Sequence, residues 1–402
     1  MSTGNSVEKS SPSRLLLVSL VIAVLATTVI DVIVPLFLLD IAKSFQVSPA
    51  IASQIRAFSA IAQVVPALIM GLLVVRFRPK SLLIIGVFCI SLAAVGSFLA
   101  TGIGLMQLFF SFNGVGSVIV TAMALAIIGE FYPLEKKPQA VGVITATGAL
   151  GYTIGAPLSA VISNIGDWRS PFILLVLPIS LAGIILALVF VPSNPHKIQP
   201  TIKKDPFWRG FKEIFRNKSA VACLIFQIFS LAFFAVGTFG IAFFKTAFQI
   251  STDFASVIMF SAALIGALGS LVSGHLVNKW GRKTIAVIAS LLSAVLTVVA
   301  FYMPSLWIVL VFRFSSLLFW GIAVASGASL MLEQVPRYRG SMMSLRVAFA
   351  GIGSAIGVAL GGAVLTLYNY PTIALALGTM GIVGSLVLLF MAKDPCYTKS
   401  QS

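Results

Sequence analysis

The chain has 402 residues, of which 59% are hydrophobic and only 9% are charged. No water-soluble fold can bury that much apolar side chain, so the composition excludes a soluble globular protein and indicates a polytopic membrane protein. The formal net charge of +16 would suggest nucleic-acid binding in a soluble protein. Here we expect the excess lysine and arginine to lie in cytoplasmic loops, with no nucleic-acid partner.

Twelve apolar segments are each close to the roughly 20 residues that a helix needs to cross a bilayer. The connections between the segments are short except for residues 192–218. This long connection separates six segments within 14–191 from six within 219–392. Polar tails, residues 1–13 and 393–402, precede the first segment and follow the last. The predicted fold is an all-α integral membrane protein with twelve transmembrane helices in two six-helix halves. The segments are predicted at 14–39, 50–75, 81–100, 104–128, 139–163, 170–191, 219–244, 254–278, 283–303, 306–331, 340–366 and 371–392.

Basic residues are concentrated in the central connection and in the loops that join even-numbered segments to odd-numbered ones. The loops on the opposite side hold little beyond Lys43, Arg169 and Lys245. Because cytoplasmic loops are enriched in lysine and arginine, both termini are predicted to be cytoplasmic. We expect a multi-pass protein of a cell membrane, either a plasma membrane or a bacterial inner membrane.

The central connection contains an amphipathic pattern. Phe207, Phe211, Ile214 and Phe215 would share one helical face, and basic residues with one glutamate would occupy the other. This pattern favours a helix that lies on an anionic lipid leaflet. A solvated linker and a calmodulin-like target helix are the alternatives.

The two halves repeat each other, since markers in the first half recur 203 positions later. Gly71 corresponds to Gly274, and Glu130 corresponds to Glu333. Two six-helix halves in the same orientation, related by an axis along the membrane normal, form one of the repeat schemes of secondary transporters.

The loops after the second and eighth segments also carry a motif. The second copy, residues 274–283, reads Gly-His-Leu-Val-Asn-Lys-Trp-Gly-Arg-Lys. It resembles the Gly-x-x-x-Asp-Arg/Lys-x-Gly-Arg-Lys signature of the major facilitator superfamily, and the chain past its N-terminal tail is similar to the twelve-helix drug:proton antiporters of that superfamily. The aspartate of the signature is replaced by Val75 in the first copy and by Asn278 in the second.

The resemblance implies that charges in these loops help to latch a cytoplasmic gate. For the glutamates and their basic neighbours there is an alternative of about equal weight. In it they are solvated loop charges that only set the membrane topology. The implied gate residues are Gly71, Arg76, Gly274, Lys279, Gly281, Arg282, Glu130, Glu333 and Arg339.

The fifth segment carries Gly142, Gly151, Gly155 and Pro157, a spacing that resembles the fifth-helix signature of the antiporters, with Ala156 inserted before the proline. The eleventh segment is similarly rich in glycine, so close helix packing explains the glycines of both halves. The resemblance of this segment to the antiporters therefore depends on Pro157 more than on the glycines.

Asp31 is the clearest functional candidate, because a carboxylate within a membrane span is costly and functional by default. Its context, Asp31-Val-Ile-Val-Pro35, resembles the first-helix signature of the antiporters, where the aspartate is linked to protons or cations. Arg56 is predicted at a similar depth. A fixed salt bridge with Arg56 and a titrating or substrate-contacting carboxylate remain equal alternatives.

Arg313 is a second deep charge. The resemblance implies that it takes over the role of the family's missing fourth-helix arginine or that the proton path differs from the family pattern; a structural role is the other alternative. Further candidates for a proton or substrate pathway are few, namely Gln63, Gln107, Asn113, Tyr152, Gln227 and Trp320. A sugar-like solute would need a denser set of polar groups, so the inventory favours an amphipathic or hydrophobic solute.

These features predict a monomeric secondary transporter that couples the efflux of a small amphipathic or hydrophobic compound to protons by alternating access. An importer of a small organic nutrient, such as an organic acid or a nucleoside, and a non-transporting receptor or scaffold on the same fold are the alternatives. No cluster of His, Asp and Glu shares a membrane depth, so an enzyme is not expected, nor is a cofactor or a metal.

Overall fold

The computed structural model describes residues 14–133, 136–192 and 207–395. These ranges contain twelve helical spans that are long enough and apolar enough to cross a membrane, which confirms the predicted number and fold class. The α-helices are α1 Arg14–Leu36, α2 Leu38–Ser44, α3 Pro49–Ala62, α4 Val64–Arg76, α5 Pro79–Leu99, α6 Ile103–Phe131, α7 Lys137–Ser163, α8 Leu177–Phe190, α9 Phe207–Arg216, α10 Lys218–Phe234, α11 Val236–Phe248, α12 Thr252–Trp280, α13 Arg282–Phe301, α14 Leu306–Gln334, α15 Arg339–Leu367 and α16 Tyr370–Met391.

Two spans are broken into two helices each. The second span consists of α3 and α4, which meet at Gln63, and the seventh consists of α10 and α11, which meet at Ala235. The first break has a sequence cause, because Pro66 has no N–H to donate to the carbonyl of Ala62. A π-helical turn, Phe172–Val176, leads into α8 in the sixth span.

Because the number of spans is even, α1 begins and α16 ends at the same face of the bundle, which we call the terminal end; the opposite face is the distal end. The largest apolar cluster contains residues of both halves and includes Ile33 and Phe37 near the distal end of α1 with Phe239 and Phe243 of α11. The buried residues of the other clusters do not cross between the halves. Among the described residues, this cluster joins the halves near the distal end, and the partly buried Leu68 of α4 adds a contact with second-half residues on the terminal side.

The fifth span, α7, packs closely on α1 through two of its glycines. A Cβ atom at Gly151 would lie 1.7 Å from Thr28 Oγ1, and one at Gly155 would lie 3.3 Å from the Cα atom of Val29. The eleventh span, α15, packs in the same way on α10, since a Cβ atom at Gly353 would lie 2.2 Å from the carbonyl oxygen of Ile228. Small residues thus bring two helix backbones together in each half.

The amphipathic pattern of the central connection forms α9. Phe211 and Ile214 on its apolar face are buried in a cluster with residues of α10 and α15, and the Phe215 ring centroid lies 6.5 Å from that of Phe349. Much of this face therefore packs against the protein. The side chain of Phe207, and residues 193–206 of the connection, lie outside the described residues, so the contact with lipid stays a prediction.

Candidate functional site

Three helices bring side chains to Asp31 on α1. Asn113 Nδ2 of α6 donates to Asp31 Oδ1 at 2.8 Å, and the Tyr152 hydroxyl of α7 donates to Oδ2 at 3.2 Å. Arg56 Nη1 of α3 lies 3.7 Å from Oδ1. The carboxylate thus has two hydrogen-bond donors and a guanidinium around it inside a membrane span.

Arg56 also bonds to the main chain of Asp31, with Nη1 donating to the carbonyl oxygen at 2.6 Å. In an uninterrupted helix that carbonyl would accept from the residue four positions later. That residue is Pro35, which has no N–H. The Asp-x-x-x-Pro spacing therefore exposes a backbone acceptor beside the carboxylate, and Arg56 occupies it.

Asp31 borders a cavity of about 60 Å³, which has room for a few water molecules. Gln63 and Phe110 of the first half line it, and Ser354 of the second half closes one side. The side chains of Asp31 and Arg56 remain 24% and 20% exposed. The carboxylate is accordingly reachable by water from a space between the two halves.

The glycines of α7 explain why Tyr152 reaches Asp31. Gly151 and Gly155 face α1 on either side of Tyr152 in sequence, and their lack of side chains allows the close approach described above. A Cβ atom at Gly142 would meet nothing within 4 Å, so that glycine has no packing role in the described residues. Pro157 lies within α7.

Three other candidate residues do not line the Asp31 cavity. Arg313 is buried in α14 and donates from Nη1 to Thr297 Oγ1 of α13 at 3.0 Å. Gln227 is buried in α10. Trp320 of α14 stacks on Phe234, with ring centroids 3.9 Å apart, and its Nε1 donor is buried with no acceptor among the described residues.

The gate motif of the second half forms a local network at the terminal end. Arg282 Nε donates to Ser329 Oγ at 2.8 Å, while Gly281 takes a positive φ of 80° where α12 turns into α13. The backbone N–H groups of Arg282 and Lys283 donate to Asp394 Oδ2 at 2.8 and 3.2 Å. Asp394 thus supplies a carboxylate in the loop whose signature aspartate is replaced by asparagine.

The remaining gate candidates pair within their own half where the structure describes them. Arg339 Nη2 lies 3.0 Å from both carboxylate oxygens of Glu333, and Lys279 Nζ lies over the ring of Trp280. Glu130 lies at the terminal end of α6, and a Cβ atom at Gly274 would have open space around it. The side-chain surroundings of Gly71 and Arg76 lie outside the described residues.

Among the described residues, the charged contact between the halves lies at the distal end. Lys245 Nζ of α11 donates to two acceptors of the first half, the Leu36 carbonyl oxygen at 3.0 Å and Asp40 Oδ2 of α2 at 3.4 Å, and to Thr252 Oγ1 of its own half at 2.9 Å. Asn164 Nδ2 also reaches Asp253 Oδ1 at 3.4 Å. Sequence reasoning noted Lys245 only as a loop charge, and no motif signals these contacts.

Comparison with known proteins adds family relationships to this geometry. A family model described as Major Facilitator Superfamily matches residues 16–244 and 228–401. "Multidrug resistance protein 2" of Bacillus subtilis (strain 168) is 24% identical over 372 residues, which cover 89% of this chain and 90% of that protein. A "Probable sugar efflux transporter" of Helicobacter pylori (strain ATCC 700392 / 26695) is 26% identical over 407 residues, covering 97% of this chain and 98% of that protein.

Two solved structures share the fold at 16% sequence identity. The nucleoside transporter NupG, crystallised as a point mutant, superimposes with a TM-score of 0.73 over 94% of this chain and 100% of that one. A bacterial homologue of the human lysosomal transporter Spinster, in an inward-facing and unoccupied conformation, gives a TM-score of 0.68 over 94% of both chains.

Proposed function

The chain belongs to the Major Facilitator Superfamily, as a multi-pass membrane transporter and not an enzyme, and from this premise we propose that it exports a small amphipathic or hydrophobic compound in exchange for protons. The observation that carries the proposal is the placement of Asp31. Its carboxylate lies in the first membrane span, borders a cavity between the halves and is held by Asn113 and Tyr152. Intramembrane carboxylates with such access are proton-relay candidates.

A proton on Asp31 would change the contacts of three helices at once. Neutral Asp31 no longer attracts Arg56 and loses one acceptor site, which weakens the attachment of α6 and α7 to α1. Asn113 Oδ1, which is buried and accepts no hydrogen bond in the described part of the chain, can then take the new O–H after rotation of the amide. Differential contact of this kind is what a ligand or proton needs to bias two conformations.

The chemistry of the interior supports the substrate class. Phe110 lines the Asp31 cavity, and Phe234 with Trp320 forms a stacked aromatic pair in the second half. The Asp31 cavity itself is mainly polar, with Ser59, Gln63 and Ser117 beside the ion pair, so an amphipathic solute would place a polar group there and its apolar surface against the aromatic pair. Multidrug and sugar efflux both occur among the names of the relatives, and the aromatic pair favours the first.

The charge distribution supports the orientation. The terminal end bears the basic loops, so it faces the cytoplasm in this proposal. The distal contacts of Lys245 and Asn164 then close the outer side, and the described conformation faces inward. The two halves, 14–191 and 219–392, rock about the midplane within a monomer in the cell membrane.

The test uses purified protein in proteoliposomes with an imposed pH gradient and ethidium as the amphipathic probe. Wild type should move ethidium against the proton flow, whereas Asp31→Asn should lose this movement but retain ethidium exchange without a gradient. Asp167→Asn, a carboxylate in the exposed distal loop before α8, is the matched control and should behave as wild type. Unchanged gradient dependence in Asp31→Asn would remove Asp31 from coupling, and co-movement of dye and protons would refute export.

A further inference from the structure

A groove at the terminal end of the first half is separate from the Asp31 cavity. It has a volume of about 440 Å³ and lies between the start of α1, the end of α6 and the start of α7. Leu17, Val21 and Val143 form its walls. Arg14, Tyr132 and Lys136 lie around it close to the ends of their helices.

The groove is amphipathic along its length. Arg14, Leu17 and Val21 follow one another at spacings of three and four residues, which places them on one face of α1. With a rise of 1.5 Å per residue, the step from Arg14 to Val21 is about 10 Å along the helix. One leaflet of the hydrocarbon core is about 15 Å thick. The groove therefore begins beside the charge of Arg14 at the membrane surface and continues between apolar walls to the depth of the acyl chains.

The polar end of the groove carries side chains that can bind an anion. Arg14 and Lys136 are both exposed, and neither forms an ion pair or a hydrogen bond through its side chain within the described residues. Burial raises the pKa of the Tyr132 phenol, so this side chain stays protonated and can donate a hydrogen bond. Two cations and one hydroxyl donor therefore surround the mouth of an apolar groove.

We propose that this groove binds an anionic phospholipid of the leaflet at the terminal end, with its phosphate between Arg14 and Lys136 and an acyl chain along Leu17 and Val21. Charge complementarity selects the anionic headgroup, and the apolar walls select the chain. All of the lining residues belong to the first half, so rocking of the halves does not dismantle the site. The site is independent of the proton and substrate chemistry proposed for Asp31.

The experiment measures binding of phosphatidylglycerol and phosphatidylcholine to purified protein by native mass spectrometry at matched lipid concentrations. Wild type should retain one phosphatidylglycerol molecule in preference to phosphatidylcholine. The double variant Arg14→Gln/Lys136→Gln should bind it roughly 30-fold more weakly, as expected for two cations at about 1 kcal/mol each. Arg78→Gln/Arg337→Gln, at exposed positions of two other terminal-end loops, removes the same charge and should leave the preference intact.

A second variant tests the apolar part without removing charge. Val143→Trp should fill the groove and displace the lipid, and because Val143 is 42% exposed the larger side chain should not disturb folding. Equal loss of preference in Arg78→Gln/Arg337→Gln, unchanged binding in Arg14→Gln/Lys136→Gln, or competition by glycerol 1-phosphate as strong as that of the intact lipid would each overturn the proposal. Thermal unfolding of every variant shows that the folded protein is being compared.

Discussion

Arg56 is bonded more closely to the main chain of Asp31 than to its side chain: Nη1 lies 2.6 Å from the carbonyl oxygen and 3.7 Å from the nearer carboxylate oxygen. The carbonyl is available only because Pro35 cannot donate to it. Arg56 can therefore keep its position whether or not the carboxylate carries a proton. The two alternatives for Asp31, a fixed salt bridge and a titrating group, are for this reason compatible.

Removing Arg56 should leave that carbonyl unpaired, and removing Pro35 should repair it. Arg56→Met is expected to lower the free energy of unfolding by about 1–3 kcal/mol, the cost of a buried polar group without a partner. Pro35→Ala restores an N–H four residues after Asp31, so in the Arg56→Met background it should recover about 1 kcal/mol, while alone it should gain nothing.

Thermal unfolding of the two single variants and the double variant in detergent measures this coupling. Pro66→Ala in the Arg56→Met background is the control, because it restores an N–H near a different helix break. Equal recovery by Pro66→Ala, or no recovery by Pro35→Ala, would show that the carbonyl bond does not depend on the proline.

Gly151 should be intolerant of even one methyl group. Gly151→Ala places a Cβ atom 1.7 Å from Thr28 Oγ1, so α7 must move from α1, at an expected cost of about 1–3 kcal/mol. Because Tyr152 is the next residue, transport should fall as well. Gly148→Ala on the same helix meets nothing within 4 Å and should be neutral or slightly stabilising.

The glycine prediction is checked by the midpoint of thermal unfolding, together with Thr28→Ala as a partner variant. Thr28→Ala removes the clashing hydroxyl and should restore part of the stability of Gly151→Ala. If Gly148→Ala and Gly151→Ala shift the midpoint equally, general helix propensity and not the contact with α1 determines the effect.

The depth of a residue in the membrane could be predicted from the sequence, but its direction around the helix could not. Counting from the ends of the apolar segments predicts that Asp31 and Arg56 lie at one level, and the structure places them together. The sequence indicates Arg313 only as a further deep charge, and its side chain bonds to Thr297 between α13 and α14, away from the Asp31 cavity. Rotation of a span follows from packing between helices, which the periodicity of a nearly uniform apolar segment does not encode.

Contacts between distant parts of the chain could not be predicted from the sequence either. The signature aspartate is replaced by Asn278, and nothing in the motif indicates that Asp394 supplies a carboxylate to the same loop. The repeat could predict two equivalent halves. It could not predict a group supplied by the C-terminal tail, since the position 203 residues before Asp394 is Val191, which has no carboxylate.

Asp394 should stabilise the beginning of α13. Its Oδ2 accepts from the first two N–H groups of the helix, and a negative charge there also interacts favourably with the helix dipole. Asp394→Ala is expected to cost about 1 kcal/mol of unfolding free energy, the usual worth of an N-terminal capping group. Lys393→Ala next to it is the control; an equal cost in both variants would assign the effect to the tail in general.

Lys245 should control the distal contact between the halves more strongly than its ionic partner does. The Lys245 side chain is only 10% exposed and has three acceptors, whereas Asp40 is 47% exposed and contributes a partly solvated charge. An exposed ion pair is worth at most about 1 kcal/mol, so Asp40→Asn should shift the balance between closed and open distal ends by no more than about fivefold. Lys245→Gln loses the contact with the Leu36 carbonyl oxygen as well and should shift it further.

Spin labels at two distal loop positions, one in each half, report this balance as a distribution of distances. Lys43→Gln removes a nearby exposed lysine and should leave the distribution unchanged. Because a population shift can be no larger than the difference in interaction free energy between the two states, the order Lys245→Gln, then Asp40→Asn, then Lys43→Gln follows from the contacts alone. A larger effect of Asp40→Asn than of Lys245→Gln would mean that the charge of Asp40, and not the Leu36 carbonyl acceptor of Lys245, holds the distal end closed.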